Sequence, residues 1–344
     1  MPEHRRSSEN GVLAVSLAAS SGETTQIEAT ITNVGTTDLN LLKLGTILDD
    51  RPVKKLTVVS ESGRKALFMG IELSLYHDLL SQEHFKKLSA GSSITRVIDV
   101  RTMFDLEPGT YSVSAEGSLP IGPAGSIRTK ASQTVASYKS NAISITIDKS
   151  STTNLEKGWS KRTMLQSNCT AAHHKATIDG IRNCESLARA AAADAADVTS
   201  ARFVEYFKSN QTKDRQHVSG RLLAVAEECS SSNSGETRVF CQDDVGYCES
   251  DGPLLAYTTW VNGYIVMCPL FYDTLPPLPK QCHKQDHATT TIHEMTHARP
   301  VYPEEVATND YAYGYENSTA LDPLSCLYNA DNYSLYSNAV YLDC

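Results

Sequence analysis

The stretch "TTTIHEMTHARP", Thr289 to Pro300, sets two histidines and a glutamate at a spacing with chemical meaning. At 3.6 residues per turn, His293 and His297 project from one helix face a turn apart, so both imidazoles reach one metal ion. Glu294 lies about 100° further round the helix, off the ligand face but beside it. There a carboxylate can take a proton from a metal-polarised water during attack on a peptide carbonyl. Peptide hydrolysis is the chemistry this pattern predicts.

A zinc site needs a third protein ligand. The second histidine is followed by "ARPVYPEEV", which holds no third histidine and excludes the metzincin arrangement. The acidic candidates downstream are Glu304, Glu305, Asp310, Glu316, Asp322 and Asp331. Glu316 suits a gluzincin, on a second helix. Asp310 lies in the turn-like "ATNDYAYGY", with Tyr313 three residues on, placed to donate a hydrogen bond to a developing oxyanion. Spacing alone leaves Asp310 and Glu316 both open. His283 and His287 are also four apart, but Lys284 follows the first and supplies no base, so they read as a polar lead-in to the helix. His173 and His174 are adjacent and cannot share a helix face. No G-x-S-x-G elbow, P-loop or dinucleotide fingerprint occurs, so serine-hydrolase and nucleotide-binding readings have no support.

The elements that must position these residues divide the chain near residue 160. A length of 344 residues at 40% hydrophobic content suits two domains. Before the division come short alternating segments rich in β-branched residues: "GVLAVSLAAS", "TQIEATITNV", "VKKLTVVSES", "SSITRVIDV", "GTYSVSAEGS" and "NAISITI". Their spacing predicts an all-β sandwich. After it come helical stretches such as "IDGIRNCESLARAAAADAADV" and "SGRLLAVAEECS", and a strand pair in "LAYTTWVNGYIVMCP" turning at Asn262-Gly263. In a zinc protease an edge strand there binds extended substrate by β-augmentation. The linker "DKSSTTNLEKGWSKR" ends in Lys161-Arg162, a dibasic pair suited to a processing protease.

Cysteine and charge change at the same place. All nine cysteines lie between Cys169 and Cys344, without a C-x-x-C pair, and read as disulfides formed in an oxidising compartment. Four N-x-S/T sequons, at Asn168, Asn210, Asn317 and Asn332, agree with export. The start "MPEHRRSSENG" has no apolar core, so we expect a signal peptide missing from this sequence. Residues 163–344 hold 12 Lys+Arg against 23 Asp+Glu, a net of −11, which attracts cationic proteins and repels nucleic acid. No run of eighteen apolar residues spans a membrane.

"TTIHEMTHARPVY", "ATNDYAYGY" and "NADNYSLYSNAVYLDC" resemble the deuterolysins, secreted fungal neutral zinc proteases also called aspzincins. The likeness covers the whole chain: a β-rich propeptide, a basic cleavage site and a short helical catalytic domain. It implies one Zn2+ per catalytic domain held by His293, His297 and Asp310, with Glu294 as general base and Tyr313 as transition-state donor. It implies the bridges Cys169–Cys241, Cys248–Cys268 and Cys282–Cys344, which leaves Cys184, Cys229 and Cys326; the first two are candidates to pair. Ala307 stands where the family has glycine, and the loop from His297 to Asp310 is slightly longer. Asp331 matches a family aspartate that, in lysine-specific relatives, helps form an acidic pocket for the residue after the cut; those relatives add a second carboxylate one turn later, where this chain has Ser334.

The expectation is thus a β-sandwich propeptide, residues 1–162, and a mainly α zincin-like domain with a small sheet, residues 163–344. It would be a secreted, extracellular, monomeric zinc metalloendopeptidase made as a zymogen, acting by preference on basic proteins and partnered by its own propeptide. The alternative is a catalytically inactive secreted binding protein of the same fold; the intact Glu294 speaks against it.

Overall fold

The computed structural model describes residues 12–123, 134–148, 165–166, 169–231, 235–249 and 252–344. Lys161, Arg162 and Asn168 lie outside the described residues. The chain packs as two compact units, one drawn from residues 1–70 and 81–158, the other from 71–80 and 159–344. The packing division therefore departs from a contiguous split: ten residues well inside the β-rich half belong to the helical unit.

The first unit is built of strands with two short 3-10 turns, Gln82–His84 and Val100–Thr102, among its described residues, and every strand pair in it is antiparallel. Gln26–Asn33 shows why: Ile27, Ala29, Ile31 and Asn33 face inward on the period-two alternation, between strands Leu13–Ala19 and Ser93–Asp99. The six alternating segments of the sequence are all strands here. Others carry no alternation to read. Leu39–Leu42 is buried at all four positions, Asn40 included, so burial does not alternate along it.

The second unit is mainly helical, with α1 (Ala171–Ala196), α2 (Ala201–Phe207), α3 (Thr212–Ser230), α4 (Pro269–Thr274), α5 (His287–His297), α6 (Tyr315–Ser318), α7 (Pro323–Leu327) and α8 (Ala330–Leu342). Its sheet runs Arg238–Phe240, Tyr264–Met267, Leu254–Thr259 and Ile71–Leu75. The hairpin turns where the sequence predicts, with Gly263 at φ +64°, a conformation that favours a residue without Cβ. Small residues set the helix spacing. Ala188, Ala191, Ala192 and Ala195 bury one face of α1, and Gly180 lets α1 approach α5: a Cβ there would sit 3.4 Å from His287 Cβ and Thr291 Oγ1.

α5 is buried at every position although it is mostly polar. Burying polar groups is tolerable only when each finds a partner, and threonines supply many of them locally. Thr291 Oγ1 donates to His287 O at 2.7 Å and Thr296 Oγ1 to His293 O at 2.8 Å. Asp286 caps the helix, accepting from Thr289 N at 3.0 Å and from Thr289 Oγ1 at 2.7 Å.

Four disulfides brace the helical unit: Cys169–Cys241, Cys184–Cys229, Cys248–Cys268 and Cys282–Cys344. The second ties α1 to α3 and the last holds the end of α8 to the segment leading into α5. Cys326 forms none and is buried, which pushes its thiol up to about 12 and leaves it inert. Among the sequons, Asn332 is fully buried with its amide donating to Tyr206 O, so no glycan fits there; Asn210 is exposed.

Burial pushes the Asp286 carboxyl up to about 7. A carboxyl that is harder to ionise folded than unfolded makes the native state hold the extra proton between about pH 4 and pH 7, so its contribution to stability falls as pH rises through that window. Asp286→Asn, which keeps a cap without the charge, should gain on wild type as pH rises from 4 to 8 in urea unfolding. Asp286→Ala should cost about 1–2 kcal/mol at the acidic end by losing the cap. A wild-type-to-Asn difference that is flat with pH would refute the assignment.

Candidate metal centre

The histidines of α5 meet as the helix period requires. His293 Nε2 and His297 Nε2 stand 3.1 Å apart. The loop after α5 brings the third donor. Thr308 N donates to Thr296 O at 3.1 Å, Asn309 bridges to Asn329 just before α8, and Asn329 Oδ1 accepts from Tyr311 N at 2.8 Å and Ala312 N at 3.1 Å. This side-chain clamp adds to the backbone pairing on either side of Asn309 and fixes the turn that brings Asp310 inward. Its Oδ1 lies 3.2 Å from His293 Nε2 and its Oδ2 3.3 Å from His297 Nε2. Glu316, the other third-ligand candidate, is exposed in α6 and is not brought to this cluster.

Each histidine has its other nitrogen committed. His293 Nδ1 lies 2.9 Å from Asp331 Oδ1, and His297 Nδ1 lies 3.1 Å from Thr308 O. Protons on the two Nδ1 atoms leave lone pairs on both Nε2 atoms, which then face each other and a carboxylate. Three electron-rich atoms at this separation repel unless positive charge lies between them. The charges respond accordingly. Burial disfavours the imidazolium of His293, but Asp310 and Asp331 outweigh it and hold its pKa well above the ordinary range. Burial likewise works against His297, and Asp310 raises it nonetheless. Burial works against ionising Asp310, yet the two histidines keep its carboxyl well below the usual range.

A zinc ion fits this donor set. Bonds of about 2.0–2.1 Å in a tetrahedron place neighbouring ligand atoms about 3.3 Å apart; the two Nε2 atoms are 3.1 Å apart, and each meets a different oxygen of the Asp310 carboxylate, at 3.2 and 3.3 Å. The side chains of His293, His297 and Asp310 are each no more than 2% exposed. Asp310 Oδ1 is buried without a hydrogen-bond partner.

Glu294 sits beside the donors. Thr258 Oγ1 donates to its Oε2 at 2.5 Å, Oε1 is buried without a hydrogen bond, and burial pushes the carboxyl up to about 7. Tyr313 is buried with its hydroxyl donating to Leu73 O at 3.0 Å, and burial, then Asp310, raises its pKa well above the ordinary range. Asp331, expected at the substrate, is 2% exposed: beyond its bond to His293, its Oδ2 accepts from Gly314 N at 2.6 Å and lies 3.6 Å from His77 Nε2. Ser334 donates to Asp331 O. His287 lies 3.0 Å from Phe271 O through Nε2, His283 stacks on Tyr315, and His173 stacks on Tyr272, all apart from the donor cluster.

Sequence reasoning missed the partners of the ligands. Thr258, Thr308 and the Asp331–His293 bond join residues 11 to 38 positions apart, and no spacing rule reaches across such distances. It also missed Ile71–Leu75 as part of this unit.

The deuterolysin metalloprotease (M35) family matches residues 3–344. A neutral protease 2 homolog of Botryotinia fuckeliana is 41% identical over 340 residues, covering 98% of this chain and 93% of that protein. One of Sclerotinia sclerotiorum is 40% identical over 340 residues, covering 98% and 92%. Penicillolysin of Penicillium citrinum is 35% identical over 341 residues, covering 98% and 94%. A donor set that suits zinc and a likeness running almost end to end lead to one conclusion: the chain belongs to the deuterolysin metalloprotease (M35) family of zinc metalloproteases.

Proposed function

We propose that the protein is an exported zinc endopeptidase, made as a zymogen and released by cleavage after Arg162, that holds one zinc through His293, His297 and Asp310. The observation that carries the reading is the buried triangle of two Nε2 atoms and one carboxylate, each fixed by a second partner. The inactive binding-protein alternative has no support from a chain that keeps Glu294 beside that triangle.

Bound zinc supplies Lewis-acid polarisation of the attacking water and the scissile carbonyl. Glu294 takes the proton from that water as its oxygen attacks the carbonyl carbon, then delivers it to the amine nitrogen as the C–N bond breaks. Thr258 holds Glu294 Oε2, so Oε1 is the oxygen turned to this task. The Tyr313 hydroxyl donates to the carbonyl oxygen as negative charge grows on it. Asp331 is a positioning residue: it fixes the ring and tautomer of His293, and its Oδ2 is the oxygen a basic substrate side chain meets.

Ligand substitutions test the centre directly. His293→Ala, His297→Ala and Asp310→Ala should each lose stoichiometric zinc by atomic emission, whereas Glu294→Gln keeps zinc and loses roughly 10²–10⁴-fold in rate. Asp331→Ala should weaken zinc binding about 10–100-fold, with Asp331→Asn restoring much of it. Zinc retained in Asp310→Ala but lost in Glu316→Ala would assign the third ligand to Glu316.

Maturation and specificity give two further tests. Peptide-mass analysis of secreted protein should find Thr163 at the new N-terminus; full activity in chains still covalently carrying residues 1–162 would overturn the zymogen reading. The net −11 of residues 163–344 favours encounter with cationic proteins. Histones should be cut faster than acidic proteins, with the difference shrinking as salt is raised. A cleavage profile without Lys or Arg enrichment after the cut, unchanged in Asp331→Asn, would remove Asp331 from substrate recognition.

A further inference from the structure

The segment Ile71–Leu80 is far in sequence from the metal centre and yet is part of its unit. Ile71–Leu75 pairs antiparallel with Leu254–Thr259, Leu73 opposite Tyr257 and Glu72 opposite Thr258. It covers what is otherwise the open edge of the sheet. Successive strand residues turn their N–H and C=O groups to opposite sides, and here both sides are used. Leu73 turns away from the sheet: its N–H donates to Asp310 Oδ2 at 3.1 Å and its C=O accepts from Tyr313 at 3.0 Å. Past the strand, Tyr76 N donates to Pro253 O at 2.7 Å and Gln285 Nε2 donates to Leu75 O at 2.8 Å. His77 lies 3.6 Å from Asp331 Oδ2, and Asp78 pairs with Lys284 at 2.6 Å. Ile71, Glu72, Leu73, Ser74 and Leu75 are all at most 5% exposed.

From this we infer that Ile71–Leu80 is a built-in inhibitory strand, seated on the Leu254–Thr259 edge where an extended substrate peptide docks. The inference rests on the zymogen reading above and specifies its mechanism. A peptide adding to a sheet edge draws affinity from main-chain hydrogen bonds and specificity from side-chain pockets; this segment makes both kinds of contact. It disarms three groups together. Tyr313 spends its hydroxyl on Leu73 O, Asp310 holds the Leu73 N–H, and Asp331 faces the ring of His77. Glu72 adds a buried carboxylate whose charge reaches His297 and Tyr313.

Cutting the chain after Arg162 breaks none of these contacts. Cleavage and activation are therefore separate steps, and the cut protein stays latent until the strand leaves.

The full-length protein, cut after Arg162 by a dibasic-specific endoprotease, tests this. In wild type, fragment 1–162 should co-elute with 163–344 on gel filtration. Hydrolysis of a quenched fluorescent peptide should begin at under a tenth of its final rate and rise on dilution. Hydrogen exchange at the amides of Ala256 and Thr258 should be slow before and after the cut. Leu73→Pro, which removes the N–H bonded to Asp310, should speed that exchange at least tenfold and give the full rate as soon as the chain is cut. The gentler His77→Ala/Asp78→Ala double variant guards against misfolding of the first and should shift both readouts the same way. Wild-type activity that rises in step with cleavage, or Ala256 and Thr258 amides equally protected in wild type and both variants, would overturn the inhibitory strand. Hydrolysis absent from every form, even after fragment 1–162 is removed, would overturn the endopeptidase reading instead, while the exchange data still judge the strand.

Discussion

Repulsion among three electron-rich atoms organises the catalytic unit. His293 Nε2, His297 Nε2 and the Asp310 carboxylate stand 3.1 to 3.3 Å apart in an interior almost without water. Such an arrangement is unstable alone and is stabilised by a cation at its centre. It also requires each donor to be held from behind. Asp331, Thr308 and the Asn329 clamp do this, and they come from two pieces of chain, the loop after α5 and the start of α8. The buried, threonine-rich helix α5, the loop folded back on Asn329 and the disulfide holding the end of α8 all serve that requirement.

Burial has a second consequence, for Glu294. A carboxylate out of water is harder to ionise, and burial pushes Glu294 up to about 7. Thr258 restrains one oxygen without neutralising the group. The strand that carries Thr258 thus holds Glu294 by that side chain and pairs along its edge with Ile71–Leu75.

Ile71–Leu80 ties a distant stretch of sequence to this centre. Its backbone pairs with the edge of Leu254–Thr259 and, through Leu73, holds the Asp310 carboxylate and the Tyr313 hydroxyl. Because a β-edge accepts main chain of almost any sequence, the inhibition proposed above needs no cysteine, and the first 168 residues contain none.

Local sequence determined what local geometry governs. The i, i+4 histidines and the adjacent glutamate follow from the helix period, the six alternating strands from the pleat, and the Asn262-Gly263 turn from the freedom of glycine at positive φ. The concentration of cysteine after residue 168 announced a cross-linked half, but which thiols meet is a property of packing. Residue spacing left Asp310 and Glu316 both open, and the tertiary structure brings Asp310 to the histidines. Both acids lie within one short stretch, and only the turn of the loop against Asn329 separates them. It alone showed Asp331 bonded behind His293 and moved residues 71–80 into the other unit. Strand pairing between residues almost two hundred positions apart leaves no periodic trace in either partner, because the edge hydrogen bonds are made by backbone that every residue shares.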